Sequence, residues 1–530
     1  MKKFIKLTFA SLALIGYSCT DLDDDLEDTL TEEFNVEGVS TVGGPDAGGP
    51  LLAAYSRLRA GSGGNGGFFA ASSVSSDEMS VPQKGGDWFD GGIWIQLHRH
   101  TWDAAHPSVE QAYGDAYVGI GECNGALESG NLDADQTAQA RVLRAWYYWR
   151  LLDLFGNVKL ITQVGVDAPQ SNRQAVFNYV ESELLGALGI SAVTANLDLS
   201  ASALGAGSNN YRVNQYAALS VLAKLYLNAV VYTGTPRFQE ADWAATYVID
   251  NGPYLLCGAG CTEPNAAKRP GIDEDPAELE GYAAVFAPTN QNNPEIIWSI
   301  EYNNVALGGM NFAHMTLHGP SQLTYALDSA PWNGFSVLEE FYNSYEDGDA
   351  RKEASFLVGP QTDFTGSALL DFAADDGELQ VNYTPQINEL EPNAQRQAGA
   401  RMKKFSFEIL GRNDMNNDMP IVRLGDVHLL RAEARSRAAG DWNLSLPDVN
   451  ALRARANVAP LGSIDADGFL AERGKEMFQE MSRRTDLIRF GKFQDTWWEK
   501  TNSDAFRILM PIPVIQINAS EGSLTQNPGY

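Results

Sequence analysis

The sequence predicts a mostly α protein: a tetratricopeptide-like helical repeat scaffold carrying a large irregular insert subdomain. Three observations lead there. Helical periodicity recurs in adjacent pairs of segments, three of them clear and a fourth implied by the helices before residue 155. Small residues, among them Ala217, Ala218, Ala223, Ala432 and Ala434, stand where paired helices would pack closely. Two long stretches, 61–108 and 253–418, lose the periodicity and fill with turns and aromatics. A helix pair of this kind cannot bury its apolar face alone, so the pairs must stack. Irregular inserts of such length in a repeat scaffold usually carry function.

The elements follow in order. LLAAYSRLR reads as an amphipathic helix with Leu51, Leu52, Tyr55 and Leu58 on one face, broken by GSGGNGG at 61–67. Periodicity returns at 109–130 and again in ARVLRAWYYWRLLDLFGN, where Val142, Ala145, Tyr148, Leu152 and Phe155 share a face and Gly156-Asn157 stops the helix. Its partner is expected at 172–190. Segments 211–234 and 238–252 form the next pair, ended by Gly234 and Gly252. Segments 419–440 and 446–459 form the last. A charged helix over 472–489, an apolar strand-like MPIPVIQI and a turn-rich LTQNPGY close the chain. Within the first insert, Ile93-Trp94-Ile95 alternates like a strand.

The N-terminus has a different logic. Lys2, Lys3 and Lys6 precede an apolar run from Leu7 to Ile15, then small residues before Cys19, the pattern of a signal peptide over 1–18. The run is shorter than the ~20 residues a bilayer span requires. Cleavage before Cys19 would leave a lipidated N-terminal cysteine, although Gly16 replaces the leucine of the stricter lipobox. TDLDDDLED then opens an acidic tether over 19–37, ahead of one domain at 38–530.

Composition narrows the partners. The 530 residues carry 68 acidic and 38 basic side chains, a net charge of −30, which argues against nucleic acid and favours a neutral ligand. Cys257 and Cys261 flank a short Gly-rich loop, suited to a small disulfide or, alternatively, a metal pair that lacks further cysteine ligands. Cys123 reads as a small buried residue.

Two segments resemble a known family. One is the C-terminal block, FLAERGKEMFQEMSRRTDLIRFGKFQDTWWEK followed by ILMPIPVIQINASEGSLTQNPGY. The other is the Arg-x-x-Arg-Ala segment at 141–145, followed by aromatics and Phe155-Gly156. Both are similar to the SusD/RagB family of surface glycan-capture lipoproteins. The resemblance implies a repeat scaffold with an irregular ligand-bearing subdomain, anchored by lipid to the outer membrane at the cell surface. It also implies a SusC-like TonB-dependent transporter as partner. A peptide-capturing member and a transporter-stabilising adaptor without its own ligand are the alternatives.

A sugar ring shows an apolar face and a ring of hydroxyls, so its site needs exposed aromatics beside planar polar groups. Trp88 stands between Gly85-Gly86 and Gly91-Gly92, outside any periodic segment, with Asp77, Lys84 and Asp87 nearby. Trp332 occupies a Pro331-Trp332-Asn333-Gly334 turn, which sets a stacking face next to an amide. The candidate sugar contacts are therefore Trp88, Trp332, Asp87, Lys84, Asn333, Asp77 and Tyr302, for a neutral glycan such as a β- or α-glucan or a fructan. Trp94 and Trp102 read as core.

Nothing in the chain calls for a cofactor. His98, His100 and His106 lack a convincing fourth metal ligand. Oxygen-rich DEDPAELE at 273–280 and NDMNNDM at 413–419 could hold Ca²⁺, but neither follows an EF-hand spacing. No G-x-S-x-G, H-E-x-x-H or P-loop appears, so a binding protein is expected rather than an enzyme.

Overall fold

The computed structural model describes residues 49–530, apart from 208, 305–306, 374–376 and 378. The leader at 1–18, Cys19 and the acidic tether at 19–37 lie outside the described residues.

The helices Pro107–Glu128, Ala134–Leu154, Arg173–Leu188, Gln215–Leu227, Phe238–Asn251, Leu424–Ala439 and Leu446–Arg455 form a stack in which each packs on the next. Local chemistry starts them. Asp133 and Gln136 make a reciprocal capping box, Asn172 caps Ala175, and Asn214 caps Tyr216 and Ala217. Left-handed Gly189 and Gly440 end two of them. A Cβ at Gly119 would lie 2.5 Å from the Tyr147 ring, so the helices Pro107–Glu128 and Ala134–Leu154 can approach only because that position is bare. The large insert leaves after Asn251 and re-enters at Leu424, and the helices on either side of it pack together.

Several expected elements change. Residues 419–423 are not helical: Met419–Arg423 is a fully buried strand, antiparallel to Ile296–Ile300 with Met419 opposite Ile300. Pro420 followed by β-branched Ile421 and Val422 favours that outcome. Ile93–His98 is a short helix rather than a strand, because three alternating residues are too few to separate the two periods. MPIPVIQI is not a strand either. Pro511 and Pro513 remove the donors a ladder needs, and Val514–Ala519 turns helical. Leu52 is exposed, whereas Leu51, Tyr55 and Leu58 are buried.

The expected 472–489 helix is two, Ala466–Met477 and Arg483–Arg489, with Gln479 and Met481 left-handed between them. Buried cations take up the carbonyls freed at the break. Arg423 donates to Glu476 O at 2.8 Å, and Lys404 donates to Phe478 O at 2.6 Å. The charges of this segment link one helix to another, and do so from within the core rather than at the surface. Arg423 pairs with Glu295 at 2.9 Å and with Glu476 and Glu480 at 2.7 Å, all fully buried. Arg473 joins Asp426 and Asp486, Arg489 joins Glu433, and Arg351 joins Asp349 and Glu472. These pairs tie the insert's root strands to the helix Ala466–Met477, and that helix and Arg483–Arg489 to the helix Leu424–Ala439 of the stack.

Candidate functional site

The two inserts meet along one seam, where residues more than two hundred apart in sequence pair. Strand Met79–Ser80 pairs antiparallel with Ser336–Val337, placing Met79 opposite Val337 and Ser80 opposite Ser336. Further on, Gln83 N donates to Leu390 O at 2.8 Å and Trp88 N donates to Trp332 O at 3.1 Å. Trp88 and Trp332 are thereby brought together, with ring centroids 6.0 Å apart and planes at 64°. Both rings are half-buried.

The floor under Trp88 is aromatic. Its ring lies 5.1 Å from Trp94 and 5.4 Å from Phe335. It also lies directly on the backbone of Gly334, where an added Cβ would fall 1.9 Å from Trp88 Cε3. The indole Nε1 donates to Asp90 Oδ2 at 2.6 Å, on the exposed side. Trp332 is held by its own N–H, which donates to His314 O at 2.6 Å, and by the edge of the His314 ring at 5.9 Å.

Two of the expected contacts, Lys84 and Asn333, turn out to be the frame behind this pair, and a third, Tyr302, lies in the core away from it. Lys84 is buried and donates to Asn333 O at 3.1 Å, Gly334 O at 3.0 Å and Ser336 Oγ at 2.7 Å. Its three donors are committed, so it clamps the Trp332 turn instead of reaching a ligand. Burial, with Arg401 beside it, holds its ammonium well below the usual lysine range. Asn333 is also buried. It takes the left-handed φ of 58° that asparagine tolerates. It donates to Asp87 Oδ2 at 2.9 Å and to Arg396 O at 3.0 Å, and accepts from Arg401 at 2.9 Å. Tyr302 is in the core, its N–H donating to Asp418 Oδ1 at 2.9 Å.

Asp87 stays at the seam, partly exposed, accepting from Asn333 and from Arg396 Nε at 3.1 Å. Asp77 belongs elsewhere. It forms a two-pronged pair with Arg483 at 2.7 and 2.8 Å, in a cleft shared with Phe341 and Trp497. A lone carboxylate in a loop carries no sequence signal for such a distant partner.

Sequence reasoning missed other neighbours. His318 Nε2 lies 2.6 Å from Asp371 Oδ2, and its ring faces Asp87 at 3.8 Å. Burial lowers the His318 pKa to about 4, with Arg401, Lys84 and Arg396 adding to the effect against Asp87, so the ring is neutral near pH 7. Arg401, wholly buried, donates to the carbonyls of Ala398, Gly399 and Arg396 and lies over Tyr383. Phe372 is 67% exposed and approaches Gly319, beside the Pro331 carbonyl.

The remaining expectations fall away from the seam. Cys257 and Cys261 are joined in a disulfide, and Cys123 is a buried free thiol. Ring nitrogens of His98, His100 and His106 lie 2.8 to 2.9 Å from the carbonyls of Trp498, Ser75 and Ile93. Asp273 is paired with Arg269, and Asp418 accepts from Tyr302 N and Tyr211 OH. Among the described residues no group of three His, Cys, Asp or Glu side chains could hold a metal ion, and no helix is long and apolar enough to cross a membrane.

Residues 294–530 match the sequence model of the SusD family. The starch-binding protein SusD of Bacteroides thetaiotaomicron is 24% identical over 500 residues, covering 84% of this chain and 82% of that protein. The chain is thus similar to SusD-family proteins, in sequence over residues 294–530 and in fold over most of its length. A SusD superfamily structure from Parabacteroides distasonis superposes with a TM-score of 0.67 at 21% identity, over 91% of this chain and 98% of that one. Surface glycan-binding protein A from B. thetaiotaomicron, solved with laminarihexaose, gives 0.64 at 20% identity over 90% and 98%. The SusD-like fold, mostly helical, is therefore common to all three.

Proposed function

We propose that this protein is a member of the SusD/RagB family and a non-enzymatic glycan-binding protein of the cell surface. In this reading it is held by lipid on Cys19 and passes oligosaccharide to a SusC-like TonB-dependent transporter in the outer membrane. One observation carries the proposal: two half-buried tryptophans from separate inserts meet at 6.0 Å in a braced seam. Trp88 and Trp332 supply stacking faces for sugar rings, and Asp87 and Asp90 supply acceptors for hydroxyls at their edge. The frame of Lys84, Asn333 and Arg401 fixes the rings before ligand arrives, which reduces the ordering cost of binding. With acidic groups at its rim and a net charge of −30, the chain suits a neutral glucan or fructan better than a polyanion. The relatives named for starch binding and solved with laminarihexaose support the same ligand class.

Calorimetry of the full chain against laminarin, starch and a fructan tests the reading. At least one is expected to bind, and Trp88→Ala or Trp332→Ala to weaken it tenfold or more, about 1.4 kcal/mol. Heat from none of the three, or undiminished binding by both variants, would overturn it. Prolonged incubation is expected to release no reducing ends. Co-purification with the transporter tests the partner separately.

A further inference from the structure

Away from the tryptophan seam, a surface cleft of about 530 Å³ opens against the first long helix of the stack. That volume lies in the range of roughly 300–1,000 Å³ that small-molecule sites occupy. Three walls enclose it: the helix Pro107–Glu128, the hairpin that follows Val158–Lys159, and the helix Val514–Ala519 with the turn after it. Hydrogen bonds join the walls. Tyr117 OH donates to Lys159 O at 2.9 Å, and Lys159 Nζ donates to Asp167 at 2.7 and 2.8 Å and to Ser523 Oγ at 2.7 Å. Gln170 Nε2 donates to Thr525 O at 3.0 Å, and Thr525 N returns a bond to Gln170 Oε1 at 2.9 Å. The cleft is therefore formed before any ligand arrives, which lowers the cost of ordering it.

Its floor is a braced aromatic surface. The half-buried Tyr117 ring lies 4.8 Å from the buried Tyr113 ring, which meets Phe155 edge-on at 5.0 Å. Gly114 stands beside them in the same wall. Glycine in a helix interior is less favourable than alanine. Packing does not demand it here, since an added Cβ would meet no atom within 4 Å. The bare position instead keeps the space in front of the Tyr117 ring open.

The polar groups facing this floor favour a neutral ligand. Gln516, half-buried in the third wall, lines the open cleft and has no side-chain partner among the described residues. Its amide presents a donor and an acceptor side by side, the complement of two neighbouring hydroxyls. Asp167 and Glu521 are exposed at the rim, where their oxygens can accept from further hydroxyls. An anion finds no free cation, because Lys159 is already paired with Asp167. A cation finds only Glu521 unpaired, an exposed carboxylate that water screens. The Tyr117 ring offers its apolar face to the C–H face of a sugar.

We infer that this cleft is a second binding site, which takes a short neutral oligosaccharide with one ring against Tyr117 and its hydroxyls on the Gln516 amide. It shares no residue with the tryptophan seam, so it does not depend on the function proposed for that seam. Saturation-transfer NMR tests it on the full chain carrying Trp88→Ala and Trp332→Ala, which takes the seam out of the measurement. The probes are maltotriose, laminaritriose and cellotriose. At least one is expected to bind saturably, and to weaken tenfold or more when Gln516→Ala is added. Gly114→Leu, which puts a side chain into the cleft where no protein atom opposes its Cβ, is expected to abolish the signal. Its melting temperature should match or exceed that of the parent, so a lost signal reports a filled cleft rather than an unfolded chain. No saturable signal from any of the three probes, or binding that either cleft variant leaves intact, would overturn the inference. Binding of whole glycans that is lost on removing the tryptophans concerns the seam alone and leaves this result standing.

Discussion

The tryptophan seam and the ion network around Arg423 are both assembled from segments far apart in sequence, yet they are made of opposite materials. The network is fully buried charge: Arg423 faces Glu295, Glu476 and Glu480 with no exposed partner. The seam contains buried cations too, but Lys84 and Arg401 face carbonyls and a hydroxyl rather than carboxylates. Dense ion pairs lock the insert's root to the stack. Neutral acceptors around Lys84 and Arg401 position a turn while leaving two aromatic rings half open. The difference shows one scaffold using charge pairing where rigidity alone is needed, and charge-to-carbonyl bonding where a surface must stay available.

That contrast can be broken from either side. The largest effect is expected from Arg423→Met, which removes the cation shared by three buried carboxylates and leaves them to Arg455, Arg351 and Lys404. Urea denaturation should show a loss of about 3–5 kcal/mol, with the seam's local geometry unaltered. Lys84→Met comes next. It leaves the Asn333 and Gly334 carbonyls without this donor, for about 1–3 kcal/mol by the same measurement, and it should weaken glycan binding through the Trp332 turn.

Gly334→Ala sharpens the comparison. Its methyl would occupy the space of the Trp88 ring, so tryptophan fluorescence should shift and glycan affinity fall. The stability change should stay within about 1–3 kcal/mol.

The smallest effect is in pH dependence. Burial raises the Glu78 pKa from 4.5 to about 8. Its contribution is complete below pH 4.5 and is lost as pH rises through about 8. Burial alone would raise Asp426 and Glu433 as well. Lys224 and Arg473 nevertheless bring Asp426 down to about 2, and Arg489 and Arg437 bring Glu433 to about 2. Their contribution is present above the ordinary carboxylate range and is lost as pH falls toward 2. Thermal melts across pH should therefore decline on both sides, and Glu78→Gln should flatten only the alkaline side.

The helix stack was legible because its signals are local. Asp133 with Gln136, Asn172 and the stop at Gly189 all act within a few residues of the ends they define. Met419–Arg423 was misjudged because its decisive partner, Ile296–Ile300, lies more than a hundred residues away. The seam divides the same way. Trp88 and Trp332 stood out singly as tryptophans in turns, but nothing local reveals that they touch. Lys84 and Asn333 looked like hydroxyl ligands because polar loop residues usually face water, and only the folded pairing of the inserts turns them inward. Phe372 and the His318–Asp371 pair left no trace, since each depends on what packs beside it.

The departure of the insert after Asn251 and its return at Leu424 have an evolutionary consequence. Because the flanking helices pack together, the two ends of the insert stay near each other whatever lies between them. Lengthening such a loop costs only slowly more chain entropy. A lineage could thus exchange most of the insert while inheriting the stack and its ion-locked root unchanged.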